Sequence, residues 1–184
     1  MGANTEIAIN RMAEEDIMDT LLQDFNRYQK TTHVFVQDGE EITVMKDEFI
    51  DDWDEGKKQK ISADLRRTAA AGGAVIGARR AGMLIGFAVL EPERFGKKDV
   101  YLELSYIHVS RELRGQGLGK KLFQKSLQTA KEMGATKLYI GAHPSVDTQK
   151  FYQEMGCVLA KEINQKIYQR EPRDLQLEIP TKEA

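Results

Sequence analysis

Three glycines within five residues, Gly115, Gly117 and Gly119, separate an apolar run from an amphipathic segment of this chain. The backbone N–H groups of such a turn have no side chains to screen them. The helix that we expect to follow adds its own unpaired N–H groups and the positive end of its dipole. A strand, a glycine turn and a helix in this order form an anion site. The turn therefore predicts a connection that holds a pyrophosphate.

The spacing of these glycines distinguishes between three phosphate-binding motifs. A dinucleotide-binding turn has G-x-G-x-x-G, but here the third glycine comes one residue early, at Gly119. A P-loop has G-x-x-x-x-G-K-[ST], whereas this chain has Arg114 at the first glycine position and Lys121 at the Ser or Thr position. The pattern that remains is R-x-x-G-x-G, from Arg114 to Gly119. A glycine-rich turn that only links a strand to a helix is the alternative.

Apolar periodicity predicts an α/β sandwich with a mixed sheet. The predicted strands are Ile7–Ile9, Thr32–Val36, Glu41–Met45, Ala74–Ala78, Leu84–Leu90, Val100–Val109, Lys137–Ala142, 157–163 and 174–179. The predicted helices are Glu14–Tyr28, Lys58–Ala71, Leu118–Met133 and Val146–Met155. A right-handed crossover brings Val100–Val109 beside Lys137–Ala142 in parallel, with the glycine turn at their shared end. Ligands favour such ends of a sheet.

Charged residues are balanced, with 27 basic and 29 acidic side chains among 184 residues. This balance gives no bulk attraction to nucleic acid or to a membrane, so we expect neither as a partner. The single cysteine, Cys157, excludes an internal disulfide, and three scattered histidines do not form a metal site. No basic and apolar signal region begins the chain. We therefore expect one domain, residues 1–184, in the cytoplasm.

A second motif lies on the helix after the next strand, where Phe151 and Tyr152 are followed by Gly156. The two motifs, in this order and spacing, resemble those of the GNAT N-acetyltransferase superfamily, and residues 70–160 carry the resemblance. It implies a GNAT-like acyl-CoA N-acyltransferase fold of a bacterial branch, with a mixed, mostly antiparallel sheet flanked by helices. It also implies acetyl-CoA as co-substrate, no metal, and transfer of the acetyl group to a primary amine.

The resemblance also implies which residues hold acetyl-CoA. The backbone of the strand before the glycine turn would run alongside the pantetheine arm, and the N–H groups of the turn would hold the pyrophosphate. Ser145 stands where many members of the superfamily have an asparagine that bonds the pantetheine. The implied binding residues are Ile107, His108, Val109, Arg114, Gly115, Gln116, Gly117, Leu118, Gly119, Lys120, Ser145 and Phe151.

Two residues have family positions that imply catalysis. Tyr152 is the expected proton donor to the departing thiolate, with a tyrosine that only packs as the alternative. Glu103, eleven residues before Arg114, is the expected general base. A glutamate that orients substrate or faces solvent, with a water chain as base, is the alternative. Strand alternation places Glu103 opposite an apolar face that includes Tyr106 and a packed His108, unless a bulge changes the parity.

The acceptor is left open between a small amine, an antibiotic, an amino acid and a protein lysine or N-terminus. The acidic stretch Asp47–Glu55 beside a predicted N-terminal helix favours a small cationic amine, although such a stretch also fits a solvated surface. The protein is expected to be a monomer or a homodimer. Two other functions stay open: a non-catalytic acyl-CoA-binding or regulatory module with the same fold, and a nucleotide- or nucleic-acid-binding domain.

Overall fold

From Ala74 onward, the predicted strands and helices appear in the predicted order, with one further short helix before the last strand. The computed structural model describes residues 6–182. The strands are β1 (Ile7–Arg11), β2 (Tyr28–Asp38), β3 (Glu41–Asp52), β4 (Ala74–Arg80), β5 (Met83–Leu90), β6 (Tyr101–Val109), β7 (Lys137–Ala142), β8 (Val158–Leu159) and β9 (Leu175–Pro180). The helices are α1 (Glu55–Ala70), α2 (Leu118–Glu132), α3 (Val146–Glu154) and α4 (Gln165–Arg170). None of the helices among residues 6–182 is long and apolar enough to span a membrane.

Seven strands form one mixed sheet in the order β1-β4-β5-β6-β7-β9-β8. Only β6 and β7 pair in parallel; the other described neighbours in this sheet are antiparallel. The parallel pairing runs from Tyr101–Lys137 to Glu103–Tyr139 and stops there, although both strands continue. We call the opening between their unpaired ends, residues 104–109 and 140–142, the strand gap. The mixed, mostly antiparallel sheet flanked by helices is confirmed.

The sheet buries a different cluster on each face. On one face, which we call the α2 face, Leu122 and Phe123 of α2 pack on Leu102 of β6 and Leu138 of β7. On the other, the α1 face, Leu65 of α1 belongs to the cluster that contains Phe87, Val89 and Trp53. The larger side chains of both clusters are almost fully inaccessible. The two layers hold the strand gap open to ligands at its edge only.

A separate two-stranded antiparallel ribbon is formed by β2 and β3. Both strands are longer than the predicted hairpin, because the acidic residues up to Asp52 continue β3. The base of the ribbon is attached to the loop after β7: Val34 forms a β-bridge with Ser145, and the Phe35 N–H donates to the Pro144 carbonyl at 2.7 Å. The ribbon therefore crosses the sheet close to the end of β7.

The predicted helix Glu14–Tyr28 is wrong. Only Glu14–Asp16 forms a single 3₁₀ turn, turns follow, and β2 already begins at Tyr28. Ile17, Leu22 and Phe25 are nevertheless fully buried, so the apolar spacing reflects three anchors in an irregular segment. Asp19, Thr20 and Asp24 lie between these anchors, and Asp and Thr are residue types that favour turns over a helix interior.

The C-terminal part also differs from the prediction. The strand expected at 157–163 is limited to Val158–Leu159, and the sequence analysis missed α4. This helix has only six residues, too few for a periodic signal. Its start is marked by Asn164, whose side chain accepts a hydrogen bond from the Ile167 N–H at 3.1 Å.

A β-bulge at Ser105 changes the alternation of β6. Val89 pairs with Tyr106 but Leu90 pairs with Leu104, so Ser105 is the extra residue. Tyr106 therefore lies on the α1 face with Glu103, and the His108 ring contacts Phe87 there. The bulge therefore moves Tyr106 and His108 off the apolar face of Leu104, where an uninterrupted strand would place them; this is the exception that the prediction allowed for.

Candidate active site

The glycine turn leaves its backbone open to a ligand. Gly115 and Gly117 have φ values of +76° and +82°, and a Cβ added to either would meet no atom within 4 Å. Gly117 is the N-cap of α2 and no side chain caps the helix. Within the described chain, the N–H groups from Gly115 to Lys120 have no backbone acceptor. The turn thus presents unpaired donors at a helix N-terminus, which fits a pyrophosphate.

The charges at this helix end point the same way. The first turn of α2 has no acidic residue and contains Lys120 and Lys121, both exposed. Cations are unfavourable at the positive end of a helix dipole. A bound anion removes this penalty, so the two lysines fit the same ligand as the glycine turn does.

Gly119 is required for a different reason, which is close packing. A Cβ at Gly119 would lie 3.3 Å from Cε2 of Phe151, on α3. The Phe151 ring in turn makes an edge contact with Phe123 of α2. Phe151 therefore fixes the distance between the two helices beside the glycine turn, and its role in cofactor binding stays a prediction.

Arg114 joins the glycine turn to the neighbouring strands. Its Nε donates to the Val109 carbonyl at 3.0 Å and its Nη1 to the Tyr28 carbonyl at 2.6 Å. Ile107, His108 and Val109 lie on the part of β6 that no longer pairs with β7. Their backbone therefore borders the strand gap, where an extended ligand can run alongside the strand.

Tyr152 lies on α3 and is 5% exposed. Burial, the nearby Cys157 and then Asp174 raise the pKa of its hydroxyl well above the usual value, so the phenol stays protonated at neutral pH. Phe123 and Phe151 hold the ring in edge contacts. The hydroxyl has no hydrogen-bond partner among residues 6–182, which leaves its proton available to a ligand.

Glu103 lines a cleft of about 270 Å³ on the α1 face. Arg170 of α4 forms an ion pair with its carboxylate. Burial raises the pKa of Glu103, while Arg170 opposes this effect and Glu91 adds to it. A carboxylate with a raised pKa is a better proton acceptor near neutral pH.

A larger groove, of about 480 Å³, is lined by residues 14–15, 17–20 and Arg66, and by none of the predicted site residues.

The Ser145 hydroxyl does not suit the predicted pantetheine contact. It accepts from the Thr148 N–H at 3.2 Å and from Gln29 Nε2 at 3.1 Å, and it donates to Thr148 Oγ1 at 2.8 Å. A hydroxyl has one donor and two acceptor positions, so all three are used. The side chain caps α3 and also binds Gln29 of the ribbon, so it has no hydrogen-bonding group left for a ligand.

His108 is enclosed by aromatic rings. Its ring lies 5.1 Å from Trp53, 5.6 Å from Phe87 and 5.9 Å from Tyr106, between centroids. Burial, assisted by the charges of Arg27 and Arg114, lowers the pKa of His108 well below its usual value. The imidazole is therefore neutral. Trp53 belongs to the hydrophobic cluster on the α1 face.

Two charged residues near the strand gap were missed by the sequence analysis. Asp174, before β9, has its Oδ2 3.8 Å from the position that a Cβ on Gly141 of β7 would occupy. Arg27 lies before β2 and its guanidinium is 5.6 Å from the centroid of the Trp53 ring. Both residues belong to segments without a motif, so only the strand register brings them to the site.

Comparisons with known proteins identify the family of this chain. The sequence profile of the Acetyltransferase (GNAT) family matches residues 40–157, well over half of the chain. The chain belongs to this family. No curated protein matches the sequence significantly. The profile match begins in the β2–β3 ribbon, and thus extends further towards the N-terminus than the resemblance noted in the sequence.

Solved GNAT structures share the fold at low sequence identity. A protein assigned as a streptothricin acetyltransferase, from Bacillus anthracis strain Ames and in complex with acetyl coenzyme A, has a TM-score of 0.68 and 17% identity, covering 95% of this chain and 98% of that one. Nourseothricin acetyltransferase has a TM-score of 0.66 and 17% identity, with 96% and 99% covered. A variant of the AtaT toxin, bound to the C-terminus of the antitoxin AtaR and to acetyl-CoA, has a TM-score of 0.59 and 16% identity, with 95% and 93% covered.

Proposed function

We propose that this protein is an acetyl-CoA-dependent N-acetyltransferase that acetylates the primary amine of a small molecule by direct attack in a ternary complex. The proposal treats residues 1–184 as one GNAT domain with its core at 70–160. The proposed reaction uses no metal ion. The alternative is an acyl-CoA-binding module of the same family that has no turnover.

The observation that carries the proposal is the uncapped N-terminus of α2 beside the glycine turn. Unpaired N–H groups, an open left-handed Gly117 and two lysines in the first helical turn together fit the pyrophosphate of acetyl-CoA. The same turn joins the end of β6, whose unpaired edge suits the pantetheine arm. Family membership supports this choice of ligand, because two of the structural neighbours contain acetyl-CoA.

The proposed chemistry needs three proton transfers, two from the acceptor nitrogen and one to the departing sulfur. The thioester of bound acetyl-CoA supplies the acetyl group. Glu103, directly or through water, would take a proton from the acceptor's ammonium group, so that the nitrogen lone pair can form the new C–N bond. Tyr152 would give its hydroxyl proton to the sulfur, which keeps the electron pair when the C–S bond breaks. The nitrogen loses its second proton as the amide forms, and this proton restores the Tyr152 hydroxyl, directly or through water. The raised pKa of Glu103 supports its role, since the base must compete for a proton near neutral pH. The buried Tyr152 hydroxyl is protonated at neutral pH, as the acid must be.

Direct attack is supported by the state of the only cysteine in the chain. Cys157 is 8% exposed and belongs to the hydrophobic cluster on the α2 face. Burial raises the pKa of its thiol to about 12, so almost no thiolate forms at neutral pH. Because the thiolate is the reactive form, an acetyl-cysteine step is disfavoured.

A small acceptor fits the cleft better than a large one. The cleft beside Glu103 has a volume of about 270 Å³, which suits a small molecule. Asp51 of β3 faces inward near the strand gap, where its charge would attract an ammonium group. Two neighbours are named for acetylation of the antibiotics nourseothricin and streptothricin, whereas AtaT is bound to a protein antitoxin.

Calorimetry with acetyl-CoA tests the proposal. We expect micromolar binding to the wild type and none to Gly117→Glu, which puts an anion among the unpaired N–H groups. Gly39→Glu is the matched control, because Gly39 also has a positive φ, of +61°, and open space around its Cβ position at the end of the ribbon. Release of free thiol with a panel of amines then separates an enzyme from a binding module. Wild-type protein that binds no acetyl-CoA would refute the proposal.

A further inference from the structure

Three buried polar atoms have no hydrogen-bond partner within the described residues: Nε of Arg27, Oγ1 of Thr31 and Oδ2 of Asp51. Buried polar groups are normally paired, so each exception requires an explanation. These three do not scatter over the molecule. They lie in the segment before β2, in β2 and in β3, which together form the base of the ribbon. The clustering indicates one polar ligand.

The register of the ribbon places these residues on one face. Gln29 pairs with Asp51 and Thr31 pairs with Phe49, and paired residues of a two-stranded sheet share a face. The intervening pair, Lys30 and Ile50, is exposed. Arg27 and Trp53 continue the inward alternation at the two strand ends and are both buried. We call this inward face the ribbon roof: Arg27, Gln29, Thr31, Phe49, Asp51 and Trp53.

The ribbon roof covers the strand gap. On the β7 side, Asp51 Oδ2 lies 3.2 Å from Nε2 of His143, within ion-pair distance, and Phe49 contacts the same imidazole ring. On the β6 side, Trp53 contacts His108. The unpaired atoms therefore lie above the ends of both strands, where the proposed reaction takes place.

Of these residues, Arg27 has the greatest need for a hydrogen-bonding partner. It is 7% exposed, and its guanidinium makes no hydrogen bond or ion pair with any residue in 6–182. Burial and the charge of Arg114 lower its pKa, and Asp51 and Asp52 only partly compensate. Trp53 offers a cation–π contact at 5.6 Å, which does not satisfy the N–H groups. A guanidinium in this state suits a carboxylate, which can accept two parallel hydrogen bonds.

We propose that the acceptor carries a carboxylate as well as its amine, and that Arg27 binds the carboxylate while Asp51 accepts a hydrogen bond from the amine. The acceptor is thus a free amino acid or a similar zwitterion. Unpaired groups of opposite charge on one face are complementary to such a molecule. A phosphate suits the site less well, because Asp51 and Asp52 would repel its second charge. This inference rests on the proposed acetyltransferase function.

Arg27 belongs to the acceptor side rather than to the acetyl-CoA side. Trp53, on which it lies, is part of the cluster on the α1 face. The N-terminus of α2, where we place the pyrophosphate, packs on the opposite face, through Leu118 and Leu122. The charge of Arg27 therefore reaches the strand gap from the side on which Glu103 lies.

Matched pairs of acceptors test the inference with the wild-type protein. Lysine is compared with cadaverine, tryptophan with tryptamine, and phenylalanine with phenethylamine, in the thiol-release assay at saturating acetyl-CoA. A hydrogen bond to a charged group contributes ~1.5–3 kcal/mol, so we expect kcat/KM to be roughly 10- to 100-fold higher for the preferred amino acid than for its amine. Equal values, or a preference for the amines, would overturn the inference.

Variants of Arg27 identify the group responsible. Arg27→Met should remove the preference by raising KM for the amino acid, leaving KM for the amine and the Kd for acetyl-CoA unchanged. Arg27→Lys keeps the charge, should fold as the wild type does, and should lose only part of the preference. Arg66→Met, at an exposed ion pair with Asp19, is the control. A weaker Kd for acetyl-CoA with the preference intact would mean that Arg27 serves the cofactor instead, and would refute the inference.

Failure of the inference can be distinguished from failure of the proposed function. Protein that binds no acetyl-CoA contradicts both. If the protein binds acetyl-CoA but turns over none of these acceptors, a binding assay replaces the kinetic one. The CoA complex of the protein is then titrated with the amino acids and with the amines. Tighter binding of an amino acid that is lost in Arg27→Met supports the inference, and equal or absent binding of the two classes refutes it.

Discussion

Asp174 provides a quantitative test of the electrostatics at the strand gap. Its carboxyl lies beside Gly141 of β7, and burial raises its pKa to about 7, with a contribution from Glu171 that Arg170 and Arg173 oppose. The folded protein therefore favours the neutral acid. The stability that this group contributes is fully present below its unfolded pKa, near 3.8, and is lost as the pH rises through about 7. Asp174→Asn imitates the neutral acid at every pH.

The size of the effect follows from the two pKa values. Raising the pKa of a carboxyl from 3.8 to about 7 corresponds to ~4 kcal/mol, because one pKa unit is worth ~1.4 kcal/mol. Asp174 keeps partial contact with solvent, which screens its charge and reduces the expected effect to ~1–2 kcal/mol. At pH 8, Asp174→Asn should therefore unfold with a free energy ~1–2 kcal/mol higher than the wild type. At pH 4 the two proteins should be equal within ~0.5 kcal/mol.

Urea denaturation at pH 4, 6 and 8 measures this difference. Asp38→Asn, at the exposed end of β2, controls for the loss of a carboxylate as such. A variant that is destabilised at pH 8, or whose difference from the wild type does not change with pH, would refute the argument that Asp174 is desolvated. The charge of Asp174 also reaches Tyr152, whose pKa it helps to raise. The same variant should consequently ease the ionisation of Tyr152, which ultraviolet difference spectra at high pH detect.

Three further substitutions test the site. Tyr152→Phe should lower kcat by roughly 10²-fold or more and leave the Kd for acetyl-CoA unchanged, and an unchanged kcat in steady-state assays would remove Tyr152 from catalysis. Arg170→Gln removes the cation beside Glu103, so the pKa of Glu103 should rise and the pH profile of kcat/KM should move to higher pH; an unmoved profile would exclude Glu103 as the base. Ser145→Ala should lower the free energy of unfolding by ~1–2 kcal/mol in urea, because α3 loses its cap and Gln29 a partner, with no change in acetyl-CoA affinity. A loss of affinity without a loss of stability would instead make Ser145 a ligand contact.

The parts of the fold that were predicted correctly have local signals. Gly134 ends α2 with a φ of +89° and Gly156 follows α3 with +91°, so a glycine in each case marks the helix end in the sequence itself. Lys137–Ala142 is a short apolar run between turn residues, and the structure reproduces its limits. The glycine turn combines two properties that only glycine provides: an open left-handed position at Gly117 and close packing at Gly119. The motif in the sequence specifies both.

The parts that were missed depend on contacts distant in sequence. Residues 14–28 have helical spacing, but their apolar side chains pack in the cluster that contains Phe87 and Leu65 of α1 without forming a helix. The bulge at Ser105 has no signature in β6; it is held by a 2.6 Å hydrogen bond from the Ser105 hydroxyl to Glu91, on the connection after β5. Arg27 and Asp174 look like ordinary surface charges in the sequence, and only the tertiary register buries them.

The two sides of the proposed active site are therefore encoded in different ways. The acetyl-CoA side is built from one continuous strand–turn–helix unit, whose glycines can be read directly. The acceptor side is built from strand register: a shift of β3 by one residue against β2 would turn Phe49, Asp51 and Trp53 to solvent and bring Ile50 over the strand gap. Changes in the ribbon can alter which acceptor is bound without disturbing the binding of acetyl-CoA, whereas changes in the glycine turn cannot. For this reason the choice of acceptor in this protein should follow Arg27 and Asp51, on the ribbon roof, rather than any residue of the glycine turn.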